Sequence, residues 1–269
     1  MEIINFEKAK SLNSTDIRKY IRNDLYIGHT AGLAKNKLQT NIVILPKQYS
    51  EDFTNFCNLN KKSCPLVDIT KTGEPFFRKL GENIDVRYDV PSYNIYKNGK
   101  LTNSVKNLKD YWDNSYVAFA IGCSFTFEHE LLKNNLQLDH ITNNKIVPMY
   151  KTTIKNFPSG DFGGNMVVSM RIFKNSHVNK VTKISQKFSQ AHGSPVHIGK
   201  PDRIGIVDIL KPNWGDPPRL KQDDENYFFW ACGVTPQNAV MEAKIPLCIT
   251  HTPGHMLITE TSEHKTFFN

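Results

Sequence analysis

No stretch of the sequence approaches the roughly 20 consecutive apolar residues that a membrane-crossing helix requires. The opening residues, MEIINFEKAK, carry acids early and lack an apolar secretory core. Together these absences make the cytoplasm the expected compartment and a membrane an unexpected partner. Cysteine is sparse and odd in number: Cys57, Cys64, Cys123, Cys232 and Cys248. With no C-x-x-C pair among them, neither a disulfide framework nor a zinc ribbon is expected. Arginine is scarce too. Of 34 basic residues only Arg18, Arg22, Arg78, Arg87, Arg171, Arg203 and Arg219 are Arg. The net charge of +8 therefore comes mostly from Lys spread along an Asn-rich chain. That pattern favours solubility over a phosphate-reading face, and no nucleic-acid partner is expected. There is no H-E-x-x-H pattern, no low-complexity tract and no internal repeat visible in the residues.

What is present is ample material for a core. Apolar residues make up 39% of the 269, with 16 Phe, 10 Tyr and 3 Trp. A chain of this length buries roughly three-quarters of its unfolded surface. Short apolar runs alternate with helical periodicities, which predicts a mixed α/β fold. Strands are expected at Asn41 to Leu45, Val117 to Ile121, Met166 to Met170, Ile204 to Leu210, Tyr227 to Cys232, Leu247 to Thr250 and Met256 to Thr259. Asn98-Gly99 predicts a type I′ hairpin. Helices are expected after Ser14 and Ser50 as N-caps, around Glu128 to Leu136, through Val178, Val181, Ile184 and Phe188, and after Thr235 as N-cap with Pro236 at the first helical position.

Five places carry candidate chemistry. In AIGCSFTFE (Ala120 to Glu128) a strand runs through a Gly turn into a helix. A helix start lowers a thiol pKa and attracts anions, so Cys123 is either a nucleophile or, with Ser124, part of a donor set; the plainer reading is a tight turn. Glu128 is either an acid–base group or first-turn helix electrostatics. HGSPVHIGKPDRIGI (His192 to Ile206) is a shaped loop whose His192 and His197 titrate near neutrality. WACGVTPQNA (Trp230 to Ala239) offers a second helix start with Thr235 and Gln237 as donors, or ordinary capping. In ITHTPGHML, His251 and His255 suit proton transfer or substrate contact better than metal, because Pro253 and Gly254 oppose the helix that would align them. Arg171 leaves a strand near a Gly-rich loop, and its fork suits a carboxylate.

These residues resemble the D-glutamate cyclase family, bacterial proteins long described as hydro-lyases of unassigned substrate. The match is carried by NIVILP (Asn41 to Pro46), CPL (Cys64 to Leu66), IGCSFTFE (Ile121 to Glu128) and VPMY (Val147 to Tyr150). MVVSMR (Met166 to Arg171), HGSPVHIG (His192 to Gly199), FWACGVTPQ (Phe229 to Gln237) and ITHTPGHML continue it in family order. The family's T-N-I-x-C stretch reads Thr152-Thr153-Ile154-Lys155-Asn156 here, which excludes cysteine catalysis at that spot. Family Pro positions around MVVSMR are Asn165 and Ile172. The resemblance implies closure of D-glutamate to 5-oxo-D-proline with loss of water. It also implies an α/β fold of two closely associated subdomains with the site between them.

The expected organisation is one catalytic unit over residues 1–269, with an inserted subdomain about 115–200. Ring closure needs a base for the ammonium, an acid for the leaving oxygen and donors for an oxyanion. The expected acid–base candidates are His192, His197 and Glu128, with Cys123 in the catalytic group. Ser124, Arg171, Thr235, Gln237, His251 and His255 are cast as substrate contacts. No cofactor is required, a divalent metal being optional, and the expected partner is a small dicarboxylate, with a homo-oligomer open. Rival expectations are a hydro-lyase acting on another small carboxylate, a non-catalytic carboxylate-binding protein, and metal-dependent hydrolysis through His192, His197, His251 and His255.

Overall fold

The computed structural model describes residues 2–143 and 145–265. Its strands form two antiparallel sheets. The first takes β1 (Lys37–Pro46), β2 (Leu66–Ile69), β3 (Tyr93–Lys97), β4 (Lys100–Val105), β5 (Tyr116–Gly122), β10 (Cys248–His251) and β11 (Leu257–Ser262), in the order β2-β5-β1-β10-β3-β4, with β11 also on β1. The second takes β6 (Met149–Lys155), β7 (Asn165–Lys174), β8 (His197–Ile198) and β9 (Glu225–Ala231), in the order β6-β7-β9-β8. Helices α1 (Phe6–Lys10), α2 (Ser14–Arg22), α3 (Ser50–Leu59), α4 (Phe125–Lys133), α5 (Asp139–Thr142), α6 (Val178–Gln186) and α7 (Val234–Ala243) cover them. The fold is thus mixed α/β in two sheet-based subdomains. None of the described helices is long and apolar enough to cross a membrane.

The topology contains a repeat that the residues conceal. The order β2-β5-β1-β10 in one sheet is matched by β8-β9-β7-β6 in the other. Each half begins with a long strand, β1 or β7. A 3₁₀ turn then leads into α3 or α6. A short strand follows Pro65 or Pro195, and β5 or β9 pairs between it and the first strand. Each half then turns a glycine corner into a helix and a last strand that join the opposite sheet. Phe127 and Leu131 of α4 pack with Phe228, Trp230 and Val181 of the second half. Ala239 and Val240 of α7 pack with Val43, Phe53 and Phe119 of the first. This exchange makes the two corners the junction of the subdomains.

Steric fit explains why both corners are glycine. A Cβ on Gly122 would lie 1.5 Å from the Gln190 backbone oxygen, and one on Gly233 would lie 1.9 Å from Asn41 Nδ2. Asn41 Nδ2 in turn donates to the Gly122 carbonyl at 2.9 Å, tying one corner to β1.

Several local expectations need correction. Ile204 to Leu210 is not a strand: Pro201–Ile204 is a 3₁₀ turn, Gly205 is left-handed, and Val207 is fully exposed. Local turns take the donors a ladder would need: Gly205 and Ile206 N–H donate to the Asp202 and Pro201 carbonyls, and Leu210 N–H to Asp208 Oδ1. Asn13, not Ser14, caps α2, its side chain accepting from Asp16 N–H at 2.9 Å. Ser50 lies inside α3 and its hydroxyl bonds back to the Lys47 carbonyl. Asn98 and Gly99 do form the β3–β4 turn with positive φ, as a type I′ hairpin demands.

Candidate active site

Alternation along β7 places Ser169 and Arg171 on the face that carries Trp230 and Phe228 of β9. Helix α4 crosses that face, and its first turn presents Ser124 and Glu128. Arg171 Nε donates to Glu128 Oε1 at 2.9 Å, and Nη2 donates to the same oxygen at 2.5 Å. Nη1 donates to Ser169 Oγ at 2.8 Å, and Nη2 also reaches Ser124 Oγ at 3.1 Å. The guanidinium lies 5.4 Å from the Phe127 ring centre and 5.2 Å from that of Trp230, a cation–π arrangement inside the core. Arg171, Glu128, Ser124 and Ser169 are all buried.

A histidine that no sequence motif marked completes the group. His140, on α5, holds Nε2 3.1 Å from Glu128 Oε1, an ion pair when the ring is protonated, although off the axis of an aligned N–H bond. Burial by itself would raise the Glu128 carboxyl, but His140 and Arg171 outweigh it and hold the group at about 2. Glu128 is therefore a carboxylate at neutral pH. Held ionised, Glu128 is a poor proton donor, and in this arrangement it bonds Arg171 and faces His140.

A cavity of about 230 Å³ opens onto this group, with His140, Arg171, Asn143, Lys145, Asp216 and Arg219 in its wall. Arg219 is already engaged, 2.8 Å from Asp139 and 2.6 Å from Glu225. Lys145 is exposed, its ammonium 3.5 Å from the Pro217 carbonyl, and is the freer cation. One Nη1 N–H of Arg171 is left over from the bonds above.

The other expected site residues fall into three settings. Cys123, Thr235, Gln237, His192 and His251 lie around the two corners. Burial pushes the Cys123 thiol up to about 12, and nearby Cys232 and Glu128 push the same way. Desolvation here outweighs the helix-start effect and favours the thiol form of Cys123 over the thiolate. Thr235 does not cap α7: its hydroxyl accepts from Val167 N–H at 3.0 Å and donates to the Val167 carbonyl at 3.1 Å, stitching α7 to β7. Gln237 Nε2 donates to His251 Nδ1 at 3.0 Å, and Ile42 N–H reaches the same nitrogen at 3.1 Å. Burial lowers His251 to about 4. It lowers His192 to about 4 as well, despite a 2.9 Å bond between Nδ1 and the Lys62 carbonyl. His192 has left-handed backbone (φ 76°), and its Nε2 is buried without a partner among the described residues.

His197 stands apart from this group, whereas His255 sits near enough to His251 for its charge to be felt there. His197 stacks on Phe229, on the face of the second sheet opposite Arg171, and its Nε2 is 2.8 Å from the Lys200 carbonyl. His255 is partly exposed beside β10, with Nδ1 3.2 Å from the Pro253 carbonyl. The four histidines of the metal-hydrolysis rival are not brought together. Arg171, Cys123 and His192 do share one neighbourhood, since the guanidinium charge is felt at both of the other groups.

The fold and this site define a two-sheet α/β protein with a buried Arg–Glu–His group beside a small cavity lined by both cations and carboxylates. The family model for D-glutamate cyclase matches residues 117–260. A relative from Dinoroseobacter shibae is 47% identical over 262 residues, covering 97% of this chain and 87% of that protein. One from Oceanobacillus iheyensis is 46% identical, covering 92% and 98%. One from Pelagibacter ubique is 44% identical, covering 92% and 95%. All three carry provisional hydro-lyase names. The chain belongs to the D-glutamate cyclase family. Among solved structures, a nitrogen repressor-like protein from Methanococcus jannaschii aligns over 91% of this chain and 97% of its own at 11% identity, with a TM-score of 0.37, too loose to bear on fold or function.

Proposed function

We propose that this protein is a lyase that closes D-glutamate to 5-oxo-D-proline and water. Family membership supports the reaction class. The observation that carries the assignment to this site is His140, set in the cavity wall against Glu128, whose carboxylate form is favoured, and beside Arg171. The cavity is smaller than the ~300–1,000 Å³ of drug-sized sites, which suits a five-carbon amino acid.

In this reading Lys145 and the remaining Arg171 N–H receive the substrate carboxylates. Bending the substrate so that its amine faces its own side-chain carboxyl supplies much of the rate by proximity. Glu128 steadies the Nε2 side of the His140 ring, leaving Nδ1 to take a proton from the ammonium. The C–N bond forms, the tetrahedral oxyanion draws on Lys145 and Arg171, and a C–O bond breaks. Over the whole reaction the ammonium gives up two protons and the departing oxygen takes both, so His140 shuttles protons and ends as it began.

The test is incubation with D- and L-glutamate and chiral separation of 5-oxoproline. D-selective product that falls at least about 100-fold in His140→Ala, the scale of a lost acid–base group, supports the proposal. Absence of product from both enantiomers overturns it. A hydro-lyase acting on another small carboxylate would use the same wall, and a substrate panel separates the two.

A further inference from the structure

We infer a divalent-cation site, of the kind zinc occupies, where the segment after β11 meets α4. It is built from His129, Glu130, Glu263 and His264, away from the cavity, and does not depend on the cyclase reading. The observation that demands it is Glu263. Its side chain is fully buried, and neither carboxylate oxygen has a hydrogen-bond partner among the described residues. A buried carboxylate without donors is costly, and a bound cation is one of the few ways to retain it.

The surrounding groups are metal ligands by type and spacing. His129 Nδ1, also buried and without a hydrogen-bond partner, stands 3.6 Å from Glu263 Oε2. His264 Nε2 stands 3.7 Å from Glu263 Oε1. Ligand atoms of Glu130, Glu263 and His264 all lie within 4.8 Å of one another. In a tetrahedral zinc site with bonds of about 2.0–2.1 Å, neighbouring N and O ligands are about 3.3–3.4 Å apart. Glu130, Glu263 and His264 are already clustered; His129 faces Glu263 Oε2 while His264 faces Oε1, so one ion takes both histidines only if Glu263 turns or spans it with both oxygens. Two carboxylates and two neutral imidazoles also balance a doubly charged ion.

The backbone already fixes Glu263: its N–H donates to the Asn36 carbonyl at 3.0 Å, and its own carbonyl accepts from Gln190 Nε2. The competing charge is Lys133, whose ammonium is 3.5 Å from Glu130 Oε2, while Asn134 Nδ2 is 3.3 Å from Oε1. Glu130 must turn from both to bind, so it is the weakest of the four ligands. A metal here would clamp the chain's last described turn to the helix that carries Glu128.

The full-length protein, stripped with EDTA and dialysed, is titrated with cobalt(II) as the spectroscopic stand-in for zinc. The expected result is one equivalent bound per chain with the intense visible bands of a four-coordinate ion. Zinc should displace it, and saturation should raise the melting temperature. His264→Gln should abolish the bands, and because His264 is largely exposed the variant should still fold. Glu263→Gln should abolish them too. The inference is overturned if no saturable band forms, or if the band survives His264→Gln.

Discussion

Replacing Glu128 by Gln tests the buried Arg171–Glu128 pair directly. The substitution keeps the shape of the side chain and removes its charge. Glu128 is held at about 2 against an ordinary 4.5. At 1.36 kcal/mol per pKa unit, its ionised form is favoured by about 3 kcal/mol in the folded protein, after the cost of burial has been met. Removing the charge leaves the Arg171 guanidinium buried with only neutral company: the Gln carbonyl, two serine hydroxyls and two aromatic rings. Loss of one partner from such a pair typically costs about 3–5 kcal/mol. Arg171→Met should cost less, because His140 Nε2 remains 3.1 Å from Glu128 Oε1. The double variant should be more stable than the sum of the two losses predicts, by about 2–3 kcal/mol, since neither charge is then stranded. Urea unfolding measures all four proteins, with unchanged m-values as the check that midpoints report stability. Additivity within about 0.5 kcal/mol would show that the two groups do not interact, and the site's geometry would be refuted.

Two further outcomes follow from the corners and the buried histidines. Gly122→Ala drives a methyl group into the Gln190 backbone, where nothing flexible can yield, so a loss above about 4 kcal/mol or failure to fold is expected; a melting temperature within a few degrees of the parent would contradict the corner packing. His192 and His251 sit at about 4 when folded against 6.5 when free. The unfolded chain therefore binds more protons between those values. Their contribution is complete above about pH 6.5 and is lost as the pH falls toward 4, at up to about 3 kcal/mol each. His192→Asn, which tolerates the left-handed backbone, should show a shallower acid loss of stability than the parent in urea unfolding near pH 7 and pH 5. Parallel curves would rule out a buried neutral His192.

The elements with strong local signatures were readable from the residues. Apolar runs marked the cores of β5, β7, β9 and β11, and Asn98-Gly99 marked its hairpin, because burial and positive φ act on consecutive residues. The corners at Gly122 and Gly233 were visible as strand–glycine–helix passages. What they do was not, because the exchange of α4 and α7 between sheets is a long-range event. The repeat stayed hidden because the halves share little beyond those glycines, Ser124 with Thr235, and Pro65 with Pro195. Arg171 and Glu128 were each found and assigned separate tasks. Their pairing spans 43 residues and depends on which side of β7 meets α4. His140 had no signal at all, lying in a polar stretch that only the fold carries to Glu128. At Cys123 the local sequence shows the helix start, but only the fold shows the burial that pushes the thiol the other way.

The central claim is that His140 moves protons for ring closure at the Arg171–Glu128 wall. The most direct measurement is the single-turnover rate of 5-oxo-D-proline formation from D-glutamate by the parent and His140→Ala, with folding confirmed by matched urea midpoints. The account predicts product from the parent and a loss of at least about 100-fold in the variant. A parent that makes no 5-oxo-D-proline, or a folded variant that makes it at the parent's rate, would contradict it.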